Sequence, residues 1–281
     1  MKKSTKIWLV LASFLTIIGL TMFAFAMTKY NWDFKKLSTE KYKTTTHQIS
    51  EDFENISINT DTVDIIFVLS NDKECKIECF ESEKSSHIVT AKDNTLTIEN
   101  ANNQHWYDNI GINFNSPKIT VYLPKTEYVS LSIKEHTGDI LLPKDFKFYS
   151  ADILTSTGDI EFLATVLNQV KIDTDTGDIS VKDSKAKALD ISTSTGDVTL
   201  SNVIARDKFN IETDTGDVKF ERSDADEIFV ETDTGSVKGS LLTEKIFITS
   251  TDTGRVDVPK TISGGKCEIT TDTGDIKITI D

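Results

Sequence analysis

Apolar and polar residues alternate along most of the chain. In one segment Val170 and Ile172 stand before a turn, and Ile179 and Val181 stand after it, with a polar residue between the members of each pair. A period of two residues indicates β-strands, and β-branched residues favour them. Each such segment therefore predicts two short strands joined by a turn.

The same segment recurs with a glycine at its turn, and a threonine precedes each of these glycines. The glycines follow one another at intervals of 19 or 20 residues, at Gly138, Gly158, Gly177, Gly196, Gly216, Gly235, Gly254 and Gly274. A fixed period near 20 residues is typical of stacked repeats. Two strands and two corners per period fit one coil of a parallel β-helix, in which neighbouring coils lie about 4.8 Å apart. We therefore predict an all-β fold, a parallel β-helix or solenoid of 19–20 residues per coil with glycine stacked on glycine. Right-handed connections are expected, as is usual for parallel strands.

The segment before the regular repeats also has the pattern of strands, but its spacing is less regular. Residues 54–69 resemble a degenerate unit in which Val63 takes the position of the glycine. We predict that residues 44–130 form an irregular β cap at the start of the solenoid. Residues 131–281 are then its regular coils.

Three features depart from the regular pattern. Ahead of Gly254 the apolar residues Ile246 and Ile248 fall one position early, which predicts a β-bulge. The second corner of each coil varies in length and is polar, so we expect it to face solvent. A long loop in the predicted cap contains Trp106 and Tyr107, which either pack on the first coil or bind a glycan.

The C-terminal coil is predicted to lie open. The chain ends in an alternating pattern that points Ile276, Ile278 and Ile280 inward, with no capping segment after them. An uncovered coil exposes unpaired strand edges. We therefore expect this coil to associate end to end with another molecule or to receive a partner.

The N-terminus carries a separate signal. Residues 7–27 include no charged residue, and a helix of this length spans a bilayer core of about 30 Å. Three lysines precede the run, which favours a cytoplasmic N-terminus. We predict that residues 1–27 are a retained transmembrane anchor and that residues 28–43 link it to an extracellular domain. The alternative is a signal peptide cleaved near Ala24–Ala26, which would export the same domain.

The net charge of the chain limits the classes of partner that it can bind. The net charge is −14, and such a surface repels nucleic acid phosphates and anionic lipid headgroups. Nucleic acid is therefore excluded as a partner. The expected partners are the membrane, through the N-terminal helix alone, and a protein or glycan at the cell envelope.

The cysteines suggest no disulfide framework, because the chain has three, Cys75, Cys79 and Cys267. All three are interpreted as small buried apolar residues. The alignment of the repeats places Cys267 in one apolar column, whose other members are Val170, Leu189, Phe209 and Ile228.

The recurring Asp-Thr-Gly-Asp corner has two interpretations. As a structural corner, glycine supplies a positive φ angle, and the aspartate two residues earlier folds onto the backbone as an Asx-turn. Stacking also brings like charges to about 5 Å, where each neighbouring pair costs roughly 0.9 kcal/mol in water. Backbone N–H groups or calcium, which prefers oxygen ligands, would compensate for this repulsion. The calcium candidates are Asp175, Asp178, Asp214, Asp217, Asp233, Asp252, Asp272 and Asp275.

Catalytic motifs are not recognised in the sequence. The four histidines are His47, His87, His105 and His136, and their spacing matches no metal or catalytic motif. The repeat is broken at His136, Ser236 and Arg255, which form no acid–base pair. We therefore predict that the chain is not an enzyme and has no catalytic or cofactor-binding residue. The alternative, a carbohydrate lyase or hydrolase, rests on fold analogy alone.

Three sequence elements together resemble the bacterial "putative adhesin" domain family, a family of unknown function. They are "ITVYLP" (Ile119–Pro124), "VSLSIKEHTGDI" (Val129–Ile140) and the serial "TDTGDI" corners, behind an N-terminal apolar segment. The resemblance covers about residues 44–281 and implies a β-helix. It further implies a Gram-positive cell-envelope protein similar to LiaG-type membrane proteins, which are associated with envelope stress. We therefore expect a membrane-anchored extracytoplasmic binding scaffold.

Overall fold

The computed structural model describes residues 3–33, 41–70, 74–101 and 116–281. His105, Trp106 and Tyr107 lie outside the described residues. The first element is helix α1 (Lys3–Lys29), in which Thr5–Lys29 is long and apolar enough to cross a membrane, with a mean hydropathy of 2.3 over an 18-residue window. The predicted apolar helix is confirmed, whereas its retention as an anchor stays a prediction.

The rest of the described chain is built of short strands. In chain order they are β1 (Tyr42–Ile49), β2 (Asn55–Asn59), β3 (Asp64–Leu69), β4 (Cys75–Ser82), β5 (His87–Lys92), β6 (Thr95–Asn100), β7 (Lys118–Leu123), β8 (Glu127–Thr137), β9 (Ile140–Leu142), β10 (Lys147–Thr157), β11 (Ile160–Phe162), β12 (Thr165–Val166), β13 (Gln169–Thr176), β14 (Ile179–Lys182), β15 (Lys185–Thr195), β16 (Val198–Ser201), β17 (Ile204–Thr215), β18 (Val218–Ser223), β19 (Glu227–Thr234), β20 (Val237–Leu241), β21 (Lys245–Thr253), β22 (Val256–Asp257), β23 (Gly265–Thr273) and β24 (Ile276–Ile280).

The strands form two sheets that enclose one core. Sheet A has the order β1-β4-β7-β3-β9-β11-β14-β16-β18-β20-β24-β22, and sheet B has the order β21-β23-β19-β17-β15-β13-β10-β8-β2-β6-β5, with β12 beside β10. Each regular coil contributes one strand to each sheet, and its neighbours pair with it in parallel. The predicted parallel β-helix is confirmed, as a solenoid of about eight turns.

The register of the coils also follows the sequence pattern. One buried column of sheet B runs through Val170, Leu189, Phe209, Ile228 and Cys267. All three cysteines are free and buried, so their interpretation as buried apolar residues is confirmed. Val63 occupies the glycine position of its coil, because its carbonyl oxygen lies against Gly138.

The C-terminal end differs from the prediction, because the last two coils exchange places. β23 pairs with β19 on one side and β21 on the other, and β24 likewise lies between β20 and β22. The final coil is therefore interior, and Ile276 and Ile278 are buried. The expectation that this coil is open was wrong: residues 242–264, which precede it in the chain, cover it.

The same exchange explains a second wrong prediction. Ile246 and Ile248 do not turn inward through a bulge: they pair in unbroken register with Lys266 and Glu268 of β23 and point outward. They are 46% and 50% exposed. An end coil packs against a neighbouring coil on one side only. Its apolar residues therefore need not follow the pattern of the interior coils.

The N-terminal end shows an exchange of the same kind. The coil formed by β2 and β3 lies between β8 and β9 on one side and β6 and β7 on the other. Beyond it the pairing becomes antiparallel, where β4 joins β7 and β1 in sheet A and β5 joins β6 in sheet B. At both ends a coil is thus covered by strands that lie further from the terminus, and at the N-terminal end β1 is then added outside them in sheet A.

The second corner exposes its charged side chains, such as Lys185 and Arg206, to solvent, but it also turns small residues into the core. In the middle coils its small residues are buried, among them Ala186, Val203, Ala205 and Ala225. The long strands of sheet B begin inside this corner and turn these side chains toward the core. The corner varies in sequence because it needs small residues rather than particular ones.

Candidate functional site

The glycine corner forms a continuous file along the solenoid. A Cβ atom added at Gly177 would lie 2.0 Å from the carbonyl oxygen of Gly158, and one at Gly158 equally close to that of Gly138. Gly177 also has a φ angle of 150°, which residues with a side chain rarely adopt. Glycine is therefore required by the close approach of successive coils.

The order of the stacked glycines also shows the exchange of the last two coils. A Cβ atom added at Gly274 would lie 1.9 Å from the carbonyl oxygen of Gly235, and one added at Gly254 would lie 1.9 Å from the carbonyl oxygen of Gly274. Spatial order thus departs from chain order at this end only in the last two members.

The aspartate after each glycine connects one coil to the next. The backbone N–H of Asp178 donates to Oδ1 of Asp159 at 2.9 Å, and that of Asp197 donates to Oδ1 of Asp178 at 2.8 Å. The same bond is made in five further pairs, in which Oδ1 of the first residue accepts the backbone N–H of the second: Asp64 and Asp139, Asp139 and Asp159, Asp197 and Asp217, Asp217 and Ser236, and Asp275 and Arg255. Because these bonds are charge-assisted, they offset the repulsion within the column, as backbone N–H groups were expected to do.

This ladder explains two of the three breaks in the repeat. Arg255 belongs to the outermost coil, so no further coil presents an N–H group that a carboxylate would accept. Ser236 keeps the connection, because its hydroxyl accepts the N–H of Asp275 at 3.3 Å. The third, His136, is exposed, with its Nδ1 3.5 Å from the hydroxyl of Ser156. These residues serve the corner and are not brought together as a reactive group.

The calcium candidates fall into two columns. Asp178, Asp217 and Asp275 belong to the ladder and accept backbone N–H groups, whereas the exposed column before the glycine contains Asp175, Asp214, Asp233, Asp252 and Asp272. Among the described residues one group of three side chains has ligand atoms within 4.8 Å of one another, and none of these aspartates belongs to it. Calcium binding at the corner stays a prediction.

Inside the corner, threonines of the C-terminal coils add a second connection that the sequence pattern did not reveal, whereas the hydroxyls of Thr155, Thr174 and Thr193 in the middle coils have no hydrogen-bond partner among the described residues. The hydroxyl of Thr271 donates to the carbonyl of Gly235 at 2.9 Å, and that of Thr251 donates to Gly274 at 3.0 Å. These threonines stand three residues before the glycine. The aspartate ladder and these threonines give the corner a structural role, and the two ends of the solenoid offer further candidate binding surfaces.

The N-terminal end has a cavity of about 790 Å³. Its walls include the rings of Phe53 and Tyr128, whose centroids are 6.1 Å apart, and the acidic residues Glu51 and Asp52 at the rim. Burial raises the pKa of Tyr128, so its hydroxyl stays protonated and donates to the carbonyl of Pro124 at 3.1 Å. An apolar floor with an acidic rim suits an apolar or cationic group.

The opposite end presents a different surface. We call residues 242–264, which contain β21 and β22, the distal coil. β21 and β22 are the last strands of their sheets, so each has one edge without a partner among the described residues. Ile246, Ile248, Val256 and Ile262 are exposed there, and Ile262 is 97% exposed. The distal coil contains three basic and three acidic residues, in contrast to the strongly acidic chain.

A buried ion pair fastens the distal coil to the solenoid. Nζ of Lys245 lies 2.6 Å from a carboxylate oxygen of Asp224, with the two side chains 3% and 9% exposed. Lys245 pairs with Gly265 of the intervening strand β23, where a Cβ would lie 1.6 Å from the carbonyl of Asp226. The lysine therefore reaches across the inserted coil at a position without a side chain.

Comparison with known proteins agrees with the fold. The model of a family described as Toastrack DUF4097 matches residues 53–207 and 192–281, and no curated protein matches. A solved structure from Bacteroides fragilis NCTC 9343, described as a "putative adhesin", has a TM-score of 0.57 and 17% identity over 85% of this chain and 97% of its own. Another, from Parabacteroides distasonis ATCC 8503 and described as a "putative lipid binding protein", has a TM-score of 0.53 and 15% identity over 86% of this chain and 98% of its own. At these identities the likeness concerns the fold alone.

Proposed function

Since the chain belongs to the Toastrack DUF4097 family, whose function is unknown, we propose that it is a membrane-anchored binding scaffold that contacts its partner through the distal coil. In this proposal residues 1–27 are the anchor and residues 28–43 the linker. Residues 44–130 are the cap and residues 131–281 the regular coils. The N-terminus lies in the cytoplasm and the solenoid outside the cell.

The anchor is supported by α1. Its large apolar side chains are exposed to the surroundings, including Trp8, Phe14 and Phe25, and a bilayer would remove them from water. A solenoid is also stiff along its axis, because each coil is hydrogen-bonded to both neighbours. It therefore suits a spacer that holds its far end away from the membrane.

The free edge of β21 carries the binding proposal. An unpaired strand edge offers backbone N–H and C=O groups to another strand. Natural proteins usually protect such an edge with charges or proline. β21 instead presents Ile246 and Ile248 beside its edge, so this edge is suited to pairing.

We commit to a second copy of the chain as the partner. A twofold axis would pair β21 with itself in antiparallel fashion, because the same patch then serves both subunits. The balanced charge of the distal coil permits this contact, whereas the acidic flanks of two copies repel each other. Two anchored copies on facing membranes would meet head to head, which is the geometry of an adhesin.

The test is the oligomeric state of the full chain in detergent, measured by sedimentation over a range of concentrations. We expect a reversible dimer that the double variant Ile246→Lys/Ile248→Lys weakens at least tenfold. The matched control is Tyr149→Lys/Leu154→Lys, which places the same two charges at exposed apolar sites of β10 in the middle of sheet B. A chain that stays monomeric at the highest concentration would exclude self-association.

A second measurement tests whether the distal coil links two membranes. Phosphatidylcholine vesicles carrying the chain are expected to cluster, and vesicles carrying the double variant are not. Clustering that persists in the variant would place the contact elsewhere on the solenoid. The association with envelope stress and the carbohydrate-active alternative stay predictions.

A further inference from the structure

Three different metal-binding side chains meet in the core near the N-terminal end. β4 provides Cys79 and Glu81, and β5 provides His87. Their ligand atoms all lie within 4.8 Å of one another, and all three residues are buried. Because β4 belongs to sheet A and β5 to sheet B, the group bridges the two sheets. Sequence spacing could not reveal it, since the sheets are brought together only by folding.

Glu81 is held in a single orientation at the centre of this group. The hydroxyl of Thr45 donates to Oε1 at 2.8 Å, and the backbone N–H of His87 donates to Oε2 at 2.8 Å. Nδ1 of His87 lies 3.0 Å from the same Oε2. Burial opposes ionisation, but the bonds from His87 and Thr45 outweigh it and hold the pKa of Glu81 below its ordinary value. These contacts fix the position of the carboxylate, as the contacts around metal-binding carboxylates do.

The charges of the group suit a divalent ion. Cys79 is fully buried, so an ion bound to its sulfur would be shielded from water. A metal ion would displace the thiol proton to solvent. The ion, one thiolate and one carboxylate then sum to zero charge, which lowers the cost of burying them.

A candidate for a fourth ligand lies on β1, the strand paired with β4. Thr45 lies opposite Cys79 and His47 lies opposite Ile77 in the antiparallel pairing of β1 with β4, so His47 and Cys79 share the inward face of sheet A. Nε2 of His47 is buried and has no hydrogen-bond partner. A buried imidazole nitrogen without a partner is uncommon, and coordination would satisfy it.

We propose that Cys79, Glu81 and His87 form a binding site for a divalent ion of the zinc class, with His47 as its fourth ligand. Zinc takes sulfur, nitrogen and carboxylate oxygen in a tetrahedral arrangement, in which neighbouring ligand atoms are about 3.5 Å apart. The ligand atoms of Cys79, Glu81 and His87 lie within 4.8 Å of one another, so these three need to approach by roughly 1 Å, and His47 would have to turn toward them. A thiolate beside imidazole disfavours calcium and magnesium, so this site differs from the calcium candidates of the corner.

The test is titration of the metal-stripped full chain in detergent with Co²⁺, whose thiolate complexes have a charge-transfer absorption band. We expect one ion per chain, the band in the wild-type protein, and displacement of Co²⁺ by Zn²⁺. The variant Cys79→Ser should lose the band, and Glu81→Gln should weaken binding at least tenfold. The matched control is Cys267→Ser, because Cys267 is equally buried, yet it stands outside the group.

Two further readouts keep the proposal open to contradiction. Zn²⁺ should raise the Tm of the wild-type protein and of Cys267→Ser but not that of Cys79→Ser. Binding should weaken as the pH falls, since protons compete for the ligands. A wild-type chain that binds neither ion, or a thiolate band that survives Cys79→Ser, would leave the group as a buried hydrogen-bonded pair of Glu81 and His87 and overturn the proposal. Because dimer formation is measured separately, failure here leaves the proposed function intact.

Discussion

The middle of the solenoid and its two ends use the same coil but stack it by different rules. From β8 to β19 the coils follow chain order, and the glycine file and the aspartate ladder repeat at every step. At each end one coil is inserted between its neighbour and a segment from further inside the chain. The comparison shows that the corner joins coils of any origin, whereas the ends depend on particular residues.

The ends also manage exposure in different ways. The N-terminal end changes to antiparallel pairing and ends in the edge strands β1 and β5. The C-terminal end keeps parallel pairing and ends in the edge strands β21 and β22. What distinguishes the distal coil is its group of exposed apolar side chains and its balanced charge.

The strongest test of this comparison replaces a corner glycine in the middle. Gly177→Ala would place a methyl group 2.0 Å from the carbonyl oxygen of Gly158, and coils on both sides prevent relaxation. We expect a loss of about 4 kcal/mol or more in the free energy of unfolding. Gly254→Ala meets a similar contact at 1.9 Å, but the distal coil is free to shift outward, so about half that loss is expected.

Thermal unfolding followed by circular dichroism measures both effects. Gly19→Ala serves as the control, because nothing lies within 4 Å of a Cβ added in that part of α1. Equal losses at Gly177 and Gly254 would show that the end coil is as constrained as the middle.

The next test addresses the exchanged coil. Lys245→Met leaves Asp224 buried without its partner, and removal of one member of a buried ion pair costs about 3–5 kcal/mol. We expect the distal coil to detach while the middle stays folded, which amide hydrogen exchange would show as loss of protection in β21 and β22. The double variant Lys245→Met/Asp224→Leu should recover most of the protection. If the single variant leaves β21 protected, the ion pair does not hold the exchanged order.

The smallest effect concerns the aspartate ladder. Asp178→Ala removes the acceptor for the N–H of Asp197 and should cost about 1–2 kcal/mol, whereas Asp178→Asn keeps an acceptor and should cost less. Arg255→Asp in the distal coil has no further coil to connect, so its expected effect is within about 0.5 kcal/mol. Denaturant unfolding of the three variants measures these losses in the free energy of unfolding. A loss at Arg255 equal to that of Asp178→Ala would contradict the role assigned to the ladder.

Most of the fold was predictable because local patterns specify it. Alternation around Val170 and Ile172 indicates strands, and the glycine interval determines the length of a coil. The buried position of Cys267 followed from the same alignment. The prediction of a bulge at Ile246 and Ile248 was wrong because it assumed that every coil needs an inward apolar pair. The group of Cys79, Glu81 and His87 was missed because its members come from different sheets.

The sequence by itself determined the coil, its length, its inward columns and the need for glycine at the corner, because these depend on residues near one another in the chain. Only the tertiary structure decided the order of the coils at the two ends. Stacked coils share one hydrogen-bonding register and similar apolar faces, so the repeat pattern fits a neighbour of any origin equally well. The choice between neighbours rests on contacts between distant residues, such as Lys245 with Asp224, and a one-dimensional pattern does not contain them.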